Sequence, residues 1–395
     1  MLSWIRGGAG RAPAAVEATA PGEAKASRTG AVVALHAAGR PVWTARQSAA
    51  LTRAGYLRNP VVYRAVRLVA EAAASVPWLV FEGGAELDDH PLLQLLARPN
   101  PGQSGAELME AVYGHLLLAG NAYLEAVAVD GAVRELHSLR PDRMSVVPDA
   151  SGWPAAYDYT ANGRTVRFVQ EGEPLPPILH LRAFHPLDDH YGFAPLEAAA
   201  ASLDLHNAAA NWNKALLDNA ARPSGALVYK GENGLSEEQF ERLRAELGAN
   251  FAGPGNAGRP LLLEGGLAWQ AMSFSPHDMD FMEAKNGAAR EIALAFGVPP
   301  MLLGIPGDNT YSNYKEANLA FWRTTVLPLV GRTAGALAGW LAPAWGEGAL
   351  RLGFDLDAIE ALTAEREALW RRVNEADFLT PDEKRQAVGY GVGEG

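Results

Sequence analysis

The chain has no cysteine among its 395 residues, which excludes disulfides and thiolate chemistry and leaves histidine and carboxylates as the available metal ligands. It also lacks any apolar run approaching the eighteen or more residues of a membrane span, and no apolar block resembling a signal peptide follows the N-terminus. A soluble, unexported product is expected. No Gly-x-x-x-x-Gly-Lys-Ser/Thr phosphate loop occurs, so there is no visible means of using ATP. Gly102-Gln103-Ser104-Gly105 falls short of a nucleophile elbow, and Ser104 stands where a helix cap is expected. The glycine-rich segment 253–258 does not match a dinucleotide fingerprint. No catalytic residue and no cofactor is therefore assigned.

Basic charge is scarce outside one segment. Residues 1–55 carry seven Lys and Arg against two Asp and Glu; the remaining chain carries 27 against 43, a body of net charge −16. A protein that grips DNA concentrates positive charge on a folded face, because phosphate contacts supply most of its affinity. This body does not.

A 48% apolar composition allows a real core, and the length allows two or three domains. Residues 1–55, rich in Ala, Gly, Pro and Arg, read as a disordered basic arm. From Asn59-Pro60 the apolar positions Val61, Val62, Ala65, Val66, Leu68, Val69 and Ala72 predict a helix ending before Pro77. Strand 78–81, a short helix after His90-Pro91, and a longer one from Ser104 or Gly105 to Gly120 follow. The alternating stretches 121–129, 135–147, 157–159, 165–169 and 178–184, punctuated by the turns Asp130-Gly131 and Asn162-Gly163, predict an antiparallel sheet. Region 56–194 is thus read as α+β.

Residues 195–221 form a run with no Gly and no internal Pro, opened by Pro195 and closed before Pro223. As a single helix it would span roughly 40 Å. Leu196, Leu203, Ala210 and Leu217 repeat every seven residues, while Asn207, Asn211, Asn213 and Asn219 crowd the other faces. Two readings stand: an amphipathic helix packed on its own domain, or a strut. A small βαββ module follows, with strand 225–230, helix 236–250 and strand character at 261–263 and 267–274. Ser275-Pro276 then starts a second long helix that runs to Phe296. The loop Gly304 to Thr310 precedes a third, from about Ser312 to Leu341, with Pro328 inside it as a kink. Helices 357–376 and 380–388 close the chain.

His180, His185 and His190, with Asp188 and Asp189 between them, form the one metal-like grouping, although the spacing matches no standard motif. Solvated loop histidines are the simpler account. The scattered Trp153, Trp212, Trp269, Trp322 and Trp370 fit packing better than a base-stacking platform.

An ordered series of motifs resembles the portal proteins of tailed double-stranded DNA phages, of the siphophage type also found in gene transfer agents. It comprises Asn59-Pro60-Val61-Val62-Tyr63, Ala74-Ser75-Val76-Pro77, His90-Pro91-Leu92, Arg98-Pro99-Asn100, Leu118-Ala119-Gly120-Asn121-Ala122-Tyr123 and Leu139-Arg140-Pro141-Asp142. His180-Leu181-Arg182, Tyr191-Gly192 through Pro195-Leu196, and Ala295-Phe296-Gly297-Val298-Pro299-Pro300 continue it. Phe378-Leu379-Thr380-Pro381-Asp382-Glu383 resembles the family's last helix, with Asp382 where Asn is usual. The likeness covers about residues 56–390.

The resemblance implies an α+β portal fold assembled as a ring, typically of twelve subunits, at a capsid vertex of the virion after assembly in the host cytoplasm. Its layout implies a wing (56–194), a two-helix stem (195–222 and 276–298), a small α/β clip (223–275), a tunnel loop with a kinked helix (299–345) and a helical crown (346–395). The channel would pass double-stranded DNA non-specifically during packaging and ejection. The partners implied are other copies of the chain, the major capsid protein, the terminase large subunit that carries the motor, and a head-tail adaptor, with no membrane. The DNA-facing tunnel loop would be Gly304, Ile305, Pro306, Gly307, Asp308, Asn309, Thr310, Tyr311, Ser312 and Asn313, and the stem channel residues Asn207, Asn211 and Lys214. An acidic channel wall would repel phosphate and let DNA slide. The alternatives are a His/carboxylate metal-binding enzyme and a non-portal virion scaffold or adaptor.

Overall fold

In a computed structural model the chain is described at residues 43–218, 225–229, 236–239, 241–242, 245, 267–271, 281–307, 311–346 and 350–391. Of the expected disordered arm 1–55, residues 1–42 lie outside these residues, as do most of helix 236–250, strand 261–263 and the Ser275-Pro276 cap; residues 43–55 are instead ordered, with Leu51 wholly buried in the core because its apolar side chain seats against the body.

Helix α1 spans Ser48–Ala54 and α2 Pro60–Ala74. Asn59 starts α2 by accepting the N–H groups of Val61 and Val62, with Pro60 behind it where no N–H is needed. The buried face of α2, Val62, Ala65, Val66, Val69, Ala70 and Ala73, follows helical spacing. Strands β1 (Trp78–Glu82) and β2 (Ala85–Leu87) are followed by α3 (Pro91–Ala97), capped by the His90 ring, and α4 (Gly105–Ala119). Ser104 and Glu107 close a reciprocal capping box on α4, which settles Ser104 as a cap.

Strands β3 (Asn121–Val129) and β4 (Ala132–Leu139) form a hairpin across Asp130-Gly131, and β5 (Met144–Pro148), β6 (Pro154–Ala161) and β7 (Arg164–Val169) form a meander with a tight turn at Asn162-Gly163. Strand β8 (Ile178–Arg182) returns beside β3. The single sheet expected is two three-stranded sheets, β4-β3-β8 and β5-β6-β7. The expected strand 135–147 breaks at Arg140-Pro141 into a short 3-10 turn, because Pro141 cannot donate to a ladder. Tyr123, Met144, Tyr157 and Ile178 cement the two sheets.

The expected helix 195–221 is divided. Helix α5 (Pro195–Ala198) meets α6 (Ala200–Asp218) at a turn on Ala199. Strands β9 (Gly225–Tyr229) and β10 (Leu267–Ala271) pair antiparallel in a two-stranded ladder of their own. Helix α7 spans Phe281–Ala295. The third long helix is also divided, into α8 (Tyr311–Phe321), a π-helical turn (Trp322–Val326) and α9 (Leu327–Leu341). Pro328 lies in the first turn of α9. It has no N–H for the Thr324 carbonyl, and the widened turn just upstream absorbs the mismatch.

Strand β11 (Leu350–Phe354) pairs with β1, giving the sheet order β11-β1-β2. Although it follows the third long helix, it completes the sheet formed by β1 and β2. Helices α10 (Thr363–Asn374) and α11 (Pro381–Val388) end the described chain, the latter capped by a Thr380–Glu383 box. One apolar core runs from α1 through α2, α4, β3, the roots of α6 and α7, and α9 to β11.

Candidate stem, tunnel segment and assembly surface

Helices α6 and α7 pack side by side, joined across their exposed edge by the Ser202 hydroxyl donating to Glu291 at 2.5 Å. Their roots are sunk in the core through Leu203, Ile292 and Phe296, and between them in sequence lies the β9–β10 ladder, which pairs with no other strand among the described residues.

Helix α6 has three distinct sides. Leu203, with Leu196 about two turns earlier on α5, is wholly buried against the body. The seven-residue stripe picked out by its leucines is, at Leu196 and Leu203, the chain's own core contact.

The second side is polar and begins under the N-terminal segment. Asp204 accepts the backbone N–H of Thr44 at 3.1 Å and its hydroxyl as well. Asn207 donates to the Ala54 carbonyl at 3.0 Å and accepts from the Asn59 amide at 2.8 Å. Asn207 was expected in the channel; its amide is instead spent inside the subunit, because α1 and α2 cover this part of the helix. Further out, Asn211 and Lys214 on the same side are exposed.

The second Asn59 amide hydrogen goes to His206 Nδ1 at 2.9 Å, so Asn59, only 1% exposed, caps α2 and ties it to the stem. Burial, and then the Lys285 charge, lower the His206 pKa and keep the ring neutral. The sequence puts the start of a helix at Asn59-Pro60, but nothing local points from Asn59 to a partner 147 residues away.

The third side is apolar and open. Ala201, Leu205, Ala208 and Trp212 follow one another at spacings of four, three and four, with Ala198 at the end of α5 ahead of them, and all are exposed, Leu205 at 49% and Trp212 at 45%.

The tunnel segment divides as well. Ile305 is buried against Ala289 and Ala293 of α7, and Arg290 donates to the Pro306 carbonyl. Ile305 thus anchors the segment and does not face a channel, a correction that follows from its being the segment's one large apolar side chain. Gly304, Pro306 and Gly307 are exposed, Asp308, Asn309 and Thr310 lie outside the described residues, and Tyr311, Ser312 and Asn313 form the first turn of α8.

The histidine grouping does not converge. His180 stacks on Tyr123 with ring centroids 4.2 Å apart, and its Nε2 lies 2.9 Å from Asn121 Oδ1, which makes that nitrogen the donor. Burial, then the neighbouring Arg182 and His190, lower its pKa to about 3. His185 Nδ1 accepts the Leu187 N–H at 3.0 Å, and Asp188 is occupied by the backbone N–H groups of His190 and Tyr191. Among the described residues no three His, Asp or Glu side chains are placed to hold a metal ion.

Two glycines make this corner possible. A Cβ on Gly192 would lie 2.0 Å from the Gly120 carbonyl oxygen, and one on Gly120 would lie 2.4 Å from that of Gly192. Only glycine permits the approach by which Ala183 donates to the Gly120 carbonyl and the Gly192 N–H reaches Asn121.

Comparison with known proteins agrees with this architecture. The sequence pattern of the family described as phage portal protein matches residues 60–389. A protein of Rickettsia bellii (strain RML369-C), described only as uncharacterized, is 46% identical over 337 residues, 85% of this chain and 87% of the relative. The portal protein of Enterobacteria phage HK97 is 28% identical over 344 residues, 84% and 78% of the two chains. Among solved structures, a chain from the neck of an empty gene transfer agent particle computed with C6 symmetry is 56% identical, with a TM-score of 0.71 over 90% of this chain and 97% of that one. A chain from the neck of the native particle computed with C12 symmetry is 55% identical, with a TM-score of 0.68 over the same shares. Matched over most of its length by the family pattern, this chain belongs to the phage portal proteins.

Proposed function

We propose that copies of the chain close into a ring, typically of twelve, at one capsid vertex, and that duplex DNA passes through its centre during packaging and ejection. The observation that carries this reading is the α6–α7 pair. It is rooted in the apolar core and brackets in sequence a β9–β10 ladder that shares no sheet with the body among the described residues, the layout of a stem bearing a clip. The C12 and C6 symmetries of the related neck structures support a closed ring.

On this reading residues 56–194 with β11 form the wing, 200–218 and 281–295 the stem, 225–271 the clip and 360–391 a small crown. Asn211 and Lys214, beyond the reach of the N-terminal segment, face the channel with Gly304, Pro306, Gly307 and residues 308–313. The clip meets the terminase large subunit during packaging and a head-tail adaptor afterwards, while the wing meets the major capsid protein. The chain itself is a conduit without catalytic chemistry, and the acidic body keeps phosphate from being gripped.

Negative-stain microscopy of the purified full-length chain tests the reading. Closed rings with a central opening wide enough for duplex DNA are expected; monomers or dimers under every assembly condition would overturn it.

A further inference from the structure

The open side of α6 poses a question that the single chain does not answer. Ala201, Leu205, Ala208 and Trp212 make an exposed apolar strip on α6, about 16 Å long at the helical rise, with the exposed Ala198 of α5 just beyond the turn at its root. Their three-four spacing is the a/d pattern with which one helix packs along another, and the alanines allow close backbone approach. The strip is bounded rather than diffuse. On one flank Ser202 is tied to Glu291 of α7; on the other Asp204 is tied to Thr44. The side diametrically opposite, marked by Leu203, is the one sunk in the core.

We propose that this strip is the surface by which each stem packs against the adjacent copy of the chain. The inference rests on the ring reading and adds to it the face of contact. A ring joins subunits head to tail, so each copy must offer a patch that a different patch of its neighbour covers. Helix α6 offers a side satisfied within the subunit, a polar side and an apolar side. Water or sliding DNA suits the polar side of Asn211 and Lys214, whereas Leu205 and the alanines gain only from a dry partner. The C12 symmetry of the related neck supplies that partner as another copy, repeated around an axis. The neighbour also shields α6 along a stretch where its burial within the subunit is one-sided.

The test uses the full-length chain. A photo-crosslinking amino acid is placed at position 205 or 208 and, as a control, at Trp153, which is 71% exposed on the wing. Irradiated rings carrying the probe at 205 or 208 are expected to give a ladder of covalent multimers on a denaturing gel, and control rings only monomer. Leu205→Glu and Ala208→Glu are expected to cut the fraction assembled into rings at least tenfold. The lone chain should keep its thermal unfolding temperature, since both positions are exposed in it. Rings that form normally in both Glu variants, or probes at 205 and 208 that yield no multimers or join to DNA or another virion protein, would overturn the proposal while leaving the ring intact. A wild-type chain that forms no ring would instead remove the reading on which it rests.

Discussion

The Thr325 hydroxyl donates to the Gly297 carbonyl at 2.6 Å, joining the π-helical turn between α8 and α9 to the end of α7. Gly297 is left-handed, at φ +66°, and a Cβ there would lie 2.7 Å from Thr325 Oγ1. Gly297→Ala therefore meets both a backbone penalty of roughly 1–2 kcal/mol and a collision with the hydroxyl that holds the joint. Urea denaturation should show the loss, and Thr325→Val, which removes only the hydrogen bond, should cost about 1 kcal/mol. If the two variants were equally mild, the glycine would not be required by this contact.

Asn59 is the second joint. Replacing it with Ala removes the cap of α2 and leaves His206 Nδ1 and Asn207 Oδ1 without their donor. A loss of about 2–4 kcal/mol is expected from the two effects together, read by denaturant midpoint. Asn59→Asp should keep the cap yet still lose the two donated bonds, and so fall between Ala and the wild type.

Two half-buried histidines add to the buried His206 in giving stability a pH dependence. Burial lowers the pKa of His115 to about 4 and that of His180 to about 3. In the unfolded chain both protonate near 6.5, so between about pH 6.5 and 4 the unfolded state binds more protons and stability falls as pH falls. The decline in denaturant midpoint over this window should flatten in a His180→Gln variant. An unchanged slope would mean that His180 is not the group held neutral.

Asp357 organises the C-terminal helices. It accepts from Arg366 Nε and Nη2, Trp370 Nε1 and the Tyr390 hydroxyl, and the Arg366 contact foremost holds its pKa down at about 2. Its stabilising contribution is present above the unfolded value near 3.9 and fades as pH drops toward 2. Asp357→Asn should cost about 1–3 kcal/mol at neutral pH. Amide exchange should speed up in α10 and α11 while that of α2 and α4 stays slow.

Chemistry confined to a few neighbouring residues was legible in the sequence. The helix starts at Asn59-Pro60 and Thr380, the cap at Ser104, the turn pairs Asp130-Gly131 and Asn162-Gly163, and the strands β1 and β3 lie where local patterns put them. The division of the strands into two sheets was not, because pairing partners are chosen by the core formed at Tyr123, Met144 and Tyr157. On α6 every seven-residue stripe has the same period, and its leucines drew attention to the side that faces the body. Which stripe faces inward is decided by α2 and α7, far away in sequence. Ile305 shows the same limit: a Gly-Pro-Gly loop reads as exposed, yet its one large apolar residue found a seat on α7. The kink was foreseen at Pro328, but the helix accommodates it one turn earlier, where the widened turn could also reach Gly297.

The Thr44–Asp204 clamp fixes where the chain ahead of the wing begins, at the root of the stem and beside the edge of α6 that the neighbour would meet. In a twelve-membered ring the clamps would repeat at one height, forming a collar of twelve tethers. Whatever the basic N-terminal residues bind, they would bid for it twelvefold from that level, so that even a weak single attachment would gain from its neighbours.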